Sequence, residues 1–439
     1  MIEEIGRCAA RVEYPELDAC PPENLAAATM AEAPLHRRGE SLMPWQQSFA
    51  AMFMEHRRLY GKARLLLADE VGVGKTLSLA ACAALGCLSG DGPTLILCPA
   101  NLTLQWQVEL WDKLGIPSAV WTSRKEWLDH TGHAMKTRGP EDVARCPYQV
   151  GIVSTGLLVQ ATAERESLLR RRFGTLIVDE AHRARVRRSI TGDDLGPNRL
   201  LDFLRHAAES AGNVLLATAT PIQTSPTDLW DLLDVLARGA PHVLGDEYSR
   251  WRRPDEAIPF ITGERVPGSV EEAWGLVRNP LPPRSERDPL FDLVRSELAI
   301  ADDRHVVARG LDRARVEIRE AIEQKVCDPQ PDETFLQRYN PVVRFVVLRR
   351  RAFLEERGLL PRVGVRLHPM AETAPAIFDG DELRTSASLE EAFDVTRQFV
   401  AAYSRRSPSA GLLEGLLLQR ICSSVESGLQ TVRRPAPRG

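Results

Sequence analysis

Three short stretches carry residue types that do phosphate chemistry. The first is Leu67-Ala68-Asp69-Glu70-Val71-Gly72-Val73-Gly74-Lys75-Thr76. An apolar run precedes it and a helix-prone run follows, the setting in which a glycine loop cradles phosphate. Gly72 and Gly74 let backbone N–H groups come close, and a helix N-terminus adds partial positive charge. Lys75 can then reach β- and γ-phosphates, and the Thr76 hydroxyl can ligate Mg²⁺. Position 69 is Asp where the strict G-x-x-x-x-G-K-[ST] pattern has Gly, so this stretch alone also reads as a turn beside a surface lysine. The second is Leu176-Ile177-Val178-Asp179-Glu180-Ala181-His182, an apolar run ending in two carboxylates. Asp179 is placed to hold Mg²⁺, and Glu180 to orient and deprotonate water. Alone, this pair also reads as an acidic helix start. The third, Leu215-Leu216-Ala217-Thr218-Ala219-Thr220-Pro221-Ile222-Gln223, is an apolar run followed by a polar turn.

The elements that must position these stretches are legible from the pattern. Apolar runs of four to six residues recur at Arg64–Ala68, Thr94–Cys98, Ser118–Thr122, Gln149–Val153, Thr175–Val178 and Val214–Ala217, each reading as a buried strand. Helix-prone stretches alternate with them at Thr76–Leu88, Leu102–Leu114, Thr162–Arg172, Pro197–Ser210 and Thr227–Leu236. This alternation predicts an α/β fold with a parallel sheet and helices on both faces. After about residue 240 no further strand–helix series occurs. Helical stretches are expected over Asp302–Val326, Tyr339–Glu356, Ser388–Arg405 and Leu412–Val432, with a proline-rich break at Asn279–Pro289.

Composition sets the outer limits. The chain has 439 residues, 44% hydrophobic and 26% charged, which excludes a disordered, collagen-like or disulfide-stapled class. No apolar run reaches the length of a membrane span. The start Met1-Ile2-Glu3-Glu4 is acidic where a secretory signal is basic, so a cytoplasmic location and no membrane partner are expected. The formal net charge is −4, so no global basic field announces nucleic acid. Lysine occurs only at 62, 75, 113, 125, 136 and 325, and the other 50 of the 56 cations are arginine. With so much alanine, this points to a GC-rich, bacterial coding sequence. The eight cysteines form no C-x-x-C pair, and His130, His133 and Cys146 lack a fourth ligand for a metal site.

The order and spacing of the motifs resemble the Swi/Snf-type DNA translocases of helicase superfamily II. The family's first motor lobe carries D-E-x-G-x-G-K-T, D-E-A-H and T-G/A-T-P-x-Q; here these stand at 69–76, 179–182 and 218–223. Leu42-Met43-Pro44-Trp45-Gln46 resembles its glutamine motif, which implies that Gln46 reads the adenine edge. The resemblance therefore implies a RecA-like P-loop lobe over 41–238 that binds ATP and Mg²⁺. In that reading Gln46, Gly72, Val73, Gly74, Lys75 and Thr76 hold nucleotide, and Thr76 and Asp179 hold Mg²⁺. Lys75, Asp179, Glu180 and His182 form the catalytic set. Pro99, Gln105 and Trp106 resemble the motif that grips the tracking strand, and Ser154 and Thr155 the next one. His182 with Thr218, Ala219 and Thr220 would couple nucleotide state to DNA grip. The implied partner is double-stranded DNA, held through its backbone.

Around that lobe the resemblance implies a leader over 1–40, a helical insertion over 239–340 and a helical bridge over 341–439. Phe345–Arg351 is similar to the family's basic segment after the first lobe. Leu416–Arg434 is similar to the helix before the second lobe in bacterial relatives, including those associated with RNA polymerase or phage defence. The second lobe's Q-x-x-x-R-x-x-R-x-G motif is not found in this sequence. The expectation is a motor subunit or fragment, weak as an ATPase alone, whose second lobe comes from a longer form or a separate polypeptide. The alternative is a non-catalytic, ATP-gated interaction subunit of a DNA-processing or defence complex; the intact Glu180 argues against it. A strand-separating helicase is a further rival. Arg183–Arg188 reads equally as a DNA-facing or a solvated cluster, and Arg349–Arg351 reads in the same two ways, with the resemblance tilting it slightly towards function.

Overall fold

A computed structural model describes residues 42–361, apart from 189–193, 224, 285–287, 309, 312–315 and 329–332, together with 394–396 and 398. The leader expected over 1–40 and the helix expected over 412–432 lie outside the described residues, as does nearly all of 388–405.

The apolar runs are strands of one sheet: β1 (Arg64–Leu67), β2 (Thr94–Cys98), β3 (Ser118–Trp121), β4 (Trp127–Asp129), β5 (Ala134–Met135), β6 (Val150–Ser154) and β7 (Thr175–Val178). Strands β8 (Val186–Arg188) and β9 (Asp194–Pro197) form a separate ribbon, and β10 (Asn213–Ala217) and β11 (Val346–Val347) complete the large sheet. Its order is β11-β1-β10-β7-β2-β6-β3-β4-β5, parallel except for the β3-β4-β5 edge. One register row runs through Leu65, Leu215, Ile177, Ile96, Ile152 and Val120. These six side chains share one core face, while their neighbours Leu66, Leu216, Leu176, Val178, Leu95 and Leu97 share the other. Burial on both faces explains why the central strands read as continuous apolar runs.

Helices cover both faces. α1 (Pro44–Tyr60), α2 (Lys75–Leu88) and α3 (Thr103–Leu114) contribute to the first core, with Phe49, Phe53, Leu79, Trp106 and Leu110 inside. The other face carries α4 (Thr155–Leu158), α5 (Ala163–Arg170), α6 (Arg199–Ser210) and α7 (Thr227–Ala237). On α6, Leu200, Leu201, Phe203, Leu204, Ala207 and Ala208 make a buried stripe at helical spacing. Asn198 caps it by accepting from Leu201 N at 2.8 Å.

Beyond α7 the described residues form mainly helices: α8 (Pro241–Leu244), α9 (Pro254–Thr262), α10 (Val270–Val277), α11 (Pro289–Glu297), α12 (Val316–Ile322), α13 (Phe335–Arg338), α14 (Pro341–Phe345) and α15 (Arg351–Glu356). Buried Arg295 is satisfied by the carbonyls of Leu281, Pro282, Ala301 and Arg304. Tyr60 of α1 stacks on His242 at 4.5 Å, with His305 and Phe345 also against it. Two expectations change. Of the helix over Asp302–Val326, residues 302–308 are not helical, while Val316–Ile322 is, ending in a wider turn at Glu323–Cys327. The helix over Tyr339–Glu356 is broken, because Val346 and Val347 pair in parallel with Leu66 and Leu67. The β-branched pair takes the free edge that β1 would otherwise present. No helix among the described residues is long and apolar enough to cross a membrane.

Candidate functional site

The phosphate loop, the two carboxylates and the Thr218 turn all lie where a strand ends, while Gln46 opens α1 and Gln105 and Trp106 lie on α3. Residues 69–76 follow β1, Thr218 follows β10, Asp179 follows β7 and Pro99 follows β2, and these four strands are neighbours in that order. The C-terminal edge of a parallel sheet is where such folds place ligands.

The loop after β1 needs its glycines. Gly72 has φ +82° and Gly74 φ +90°, the left-handed region that side chains disfavour. A Cβ at Gly74 would stand 2.6 Å from the Gln46 amide nitrogen. Gln46, itself buried, accepts from Met43 N at 2.9 Å and donates to Gly74 O at 3.3 Å. Val73 is buried, and its carbonyl accepts from the Trp45 indole at 2.9 Å. Lys75 opens α2, and its Nζ donates to Asp69 O at 2.7 Å and Glu70 O at 3.1 Å. Burial lowers its pKa, against the pull of Asp69, Asp179, Glu180 and Glu70. Thr76 is half-buried beside it.

Asp179 is buried, and each carboxylate oxygen accepts one hydrogen bond. Oδ2 accepts from Trp106 Nε1 at 2.9 Å and Oδ1 from Glu180 N at 2.9 Å. Burial raises its pKa; the Trp106 bond is the strongest influence the other way. Glu180 has φ +52°, a strained conformation for a side-chain-bearing residue. His182 Nδ1 lies 3.1 Å from Glu180 Oε2 and 3.0 Å from Thr218 Oγ1. It thus bridges the ends of β7 and β10. Burial lowers its pKa. Thr218 Oγ1 also accepts from Thr220 N at 3.0 Å. Ala219 is half-buried, and Thr220 is exposed.

Trp106 requires a correction. It was expected to face a DNA strand, but it is 1% exposed, and a side chain so enclosed touches Asp179 instead. The buried set Thr103, Trp106, Gln107 and Leu110 on α3 falls at i, i+3, i+4, i+7, so helical spacing held the signal. Its neighbour Gln105 is exposed and bonds Glu109. Pro99 is buried and starts a short turn. Ser154 caps α4 by accepting from Gly156 N, while Thr155 is buried. Arg183, Arg185 and Arg187 are exposed at alternate positions leading into the β8–β9 ribbon. Arg349 is the second surprise: it is 1% exposed and ion-paired to Asp69 at 3.1 Å. Residue type alone made it look like one of three surface arginines.

The donor set fits a divalent ion with phosphate. Thr76 and Asp179 offer only oxygen, the donor Mg²⁺ takes. Among the described residues no cluster of three His, Cys, Asp or Glu is arranged to hold a metal. An ion here would fill its shell from phosphate and water, as Mg²⁺ does in nucleotide sites.

Residues 46–256 match the SNF2-related domain family. Over 205 residues the chain is 31% identical to Helicase domino of Drosophila melanogaster, covering 45% of this chain and 6% of that protein. It is 30% identical over 161 residues to the RNA polymerase-associated protein RapA of Pseudomonas savastanoi pv. phaseolicola, covering 36% and 15%. With the uncharacterized ATP-dependent helicase YqhH of Bacillus subtilis it shares 28% over 208 residues, covering 47% and 31%. The matched stretch therefore spans less than a third of each of these relatives. Among solved structures, the Sulfolobus solfataricus SWI2/SNF2 ATPase core in complex with dsDNA aligns with a TM-score of 0.38 at 14% identity. That alignment covers 89% of this chain and 60% of that one.

Proposed function

From the Swi/Snf-type superfamily II helicase motor domain that this chain carries, we propose that it binds ATP with Mg²⁺ and works in an ATP-driven DNA translocase. The observation that carries the reading is the convergence of Lys75, Asp179, Glu180 and His182 on one sheet edge, with His182 bridging Glu180 and Thr218.

Each residue has a task in this reading. Gln46, beside Gly74, reads the adenine edge. The backbone at Gly72, Val73 and Gly74 surrounds the phosphates, and Lys75 moves from the carbonyls of Asp69 and Glu70 to the β/γ-phosphates. Thr76 and Asp179 hold the Mg²⁺, which neutralises charge developing on the phosphates when bound. Glu180 orients the attacking water and takes its proton. His182 and Thr218 pass the state of Glu180 to the turn at Ala219 and Thr220. Duplex DNA is held through its backbone by the exposed polar groups at this edge, with Gln105 and Thr220 among them. Beside the loop, Arg349 and Arg351 are engaged with Asp69 and Glu355. In this reading the arginines that oppose the γ-phosphate come from a second RecA-like lobe, in a longer form or a separate polypeptide.

The test pairs two variants. Lys75→Ala abolishes binding of a fluorescent ATP analogue, while Glu180→Gln keeps binding and stops hydrolysis measured with duplex DNA. Unchanged affinity in Lys75→Ala would sink the assignment of the loop.

A further inference from the structure

The phosphate loop is gripped by a segment some 280 positions further along the chain. Ala68 N donates to Val347 O at 2.6 Å, and Glu70 N to Arg349 O at 3.1 Å. These bonds carry the β1–β11 ladder past both strand ends and into the loop. Arg349 Nη1 donates to Asp69 Oδ2 at 3.1 Å, with both side chains about 1% exposed. Arg351 N donates to Glu70 Oε2 at 2.7 Å. Its guanidinium lies over Gly72, where an added Cβ would stand 3.4 Å from Nη1. Leu354 of α15 is fully buried in one cluster with Val73 and Trp45. Asp69, Glu70 and Val73 are thus all held from 349–354, and Arg351 covers Gly72 between them.

Lys75 acts on the same peptide units. Its ammonium rests on the carbonyls of Asp69 and Glu70, the two residues whose side chains Arg349 and Arg351 hold. The ammonium has three N–H donors, so a phosphate oxygen that it reaches competes for them with these two carbonyls. We propose that residues 346–361 form a nucleotide-responsive clasp on the phosphate loop, with Arg349 as its positioning residue. The proposal rests on the nucleotide-site reading above and adds a regulation to it. Coupling of this kind is reciprocal: the factor by which the clasp changes nucleotide affinity is the factor by which nucleotide shifts the clasp. A segment that merely completes the sheet shows neither effect.

The experiment uses the full chain in two arms. In the first, hydrogen–deuterium exchange is followed with and without a non-hydrolysable ATP analogue and Mg²⁺. Slower exchange in both 69–76 and 346–361 is expected. Protection of 69–76 alone overturns the clasp and leaves the nucleotide site standing. No protection anywhere, with no analogue bound, overturns the nucleotide site and the clasp with it. In the second arm, Arg349→Lys keeps a cation against Asp69 but loses the planar fork. It should weaken binding of the analogue at least about fivefold, the low end of typical coupling, well below its own melting temperature. Arg319→Ala, which removes an exposed ion pair to Glu271 outside the clasp, should bind as the unaltered chain does. Lowered melting with unchanged affinity in Arg349→Lys overturns the proposal. If that variant does not fold, the exchange arm on the unaltered chain decides alone.

Discussion

Replacing Trp106 by Phe separates metal positioning from packing. The indole donates to Asp179 Oδ2 at 2.9 Å inside a buried site, and Phe keeps an aromatic ring but no N–H. A hydrogen bond to an ionised group contributes about 1.5–3 kcal/mol. Losing it leaves Asp179 with only the Glu180 N–H as donor and with a carboxyl that burial already pushes up. A ligand carboxylate freed from its partner is also less well aimed. Such outer partners are worth about 10–100-fold in metal affinity, which matches about 1.4–2.7 kcal/mol. The expected result is a half-saturating Mg²⁺ concentration raised about 10–100-fold in titrations of a bound fluorescent ATP analogue. Affinity for the analogue in the presence of a chelator should not change. Lower thermal stability with an unchanged Mg²⁺ titration would refute the reasoning and leave Trp106 as a core residue only.

The other predictions are shorter. Thr218→Val keeps volume but removes the oxygen shared by His182 and Thr220 N; nucleotide binding should hold within about twofold while any stimulation of hydrolysis by duplex DNA is lost, at about 1–3 kcal/mol of stability. Retained stimulation counts against a coupling role. Acid should weaken the fold through the cluster around Tyr60. Burial holds His56 and His305 near a pKa of about 4 and His242 well below its usual value. Unfolded, these groups titrate near the ordinary value of about 6.5. From about 6.5 down to about 4 the unfolded chain binds protons that the folded one refuses, so stability falls as pH falls, by about 2 kcal/mol per histidine between pH 6.5 and 5. Above about 6.5 this source is silent. A denaturation midpoint that stays level between those two pH values contradicts the burial of neutral histidines.

The parts legible in the sequence are those whose physics is local. Six strands could be read because burial on both faces makes runs such as Leu95–Cys98 wholly apolar. The 69–76 loop was readable because glycine and lysine spacing is itself the phosphate geometry. What could not be read depended on distant partners. Val346–Val347 is too short to show a strand period, and its partner in β1 is far away in the chain. Arg349 sits in a run of three arginines whose type says nothing about which one is enclosed. The β4–β5 hairpin, three and two residues per strand, is set by Asp129, whose Oδ1 accepts from Thr131 and His133 N, rather than by hydrophobic alternation. Trp106 was legible in principle, since its spacing to Leu110 marks the buried side of α3, but the motif resemblance drew it to the wrong surface.

The late arrival of β11 has a consequence for how the chain is made. On the ribosome, β1 is complete once Leu67 has emerged, yet the strand that closes its open flank lies some 280 residues later. At about 5–20 residues per second, that flank waits roughly 14–56 s with the hydrogen-bonding groups of Leu66 and Leu67 exposed. An unpaired, apolar strand edge is a template for joining another chain. Biosynthesis therefore contains a window in which the nascent lobe is prone to self-association, and translation or cleavage that stops before Val346 would make that window permanent.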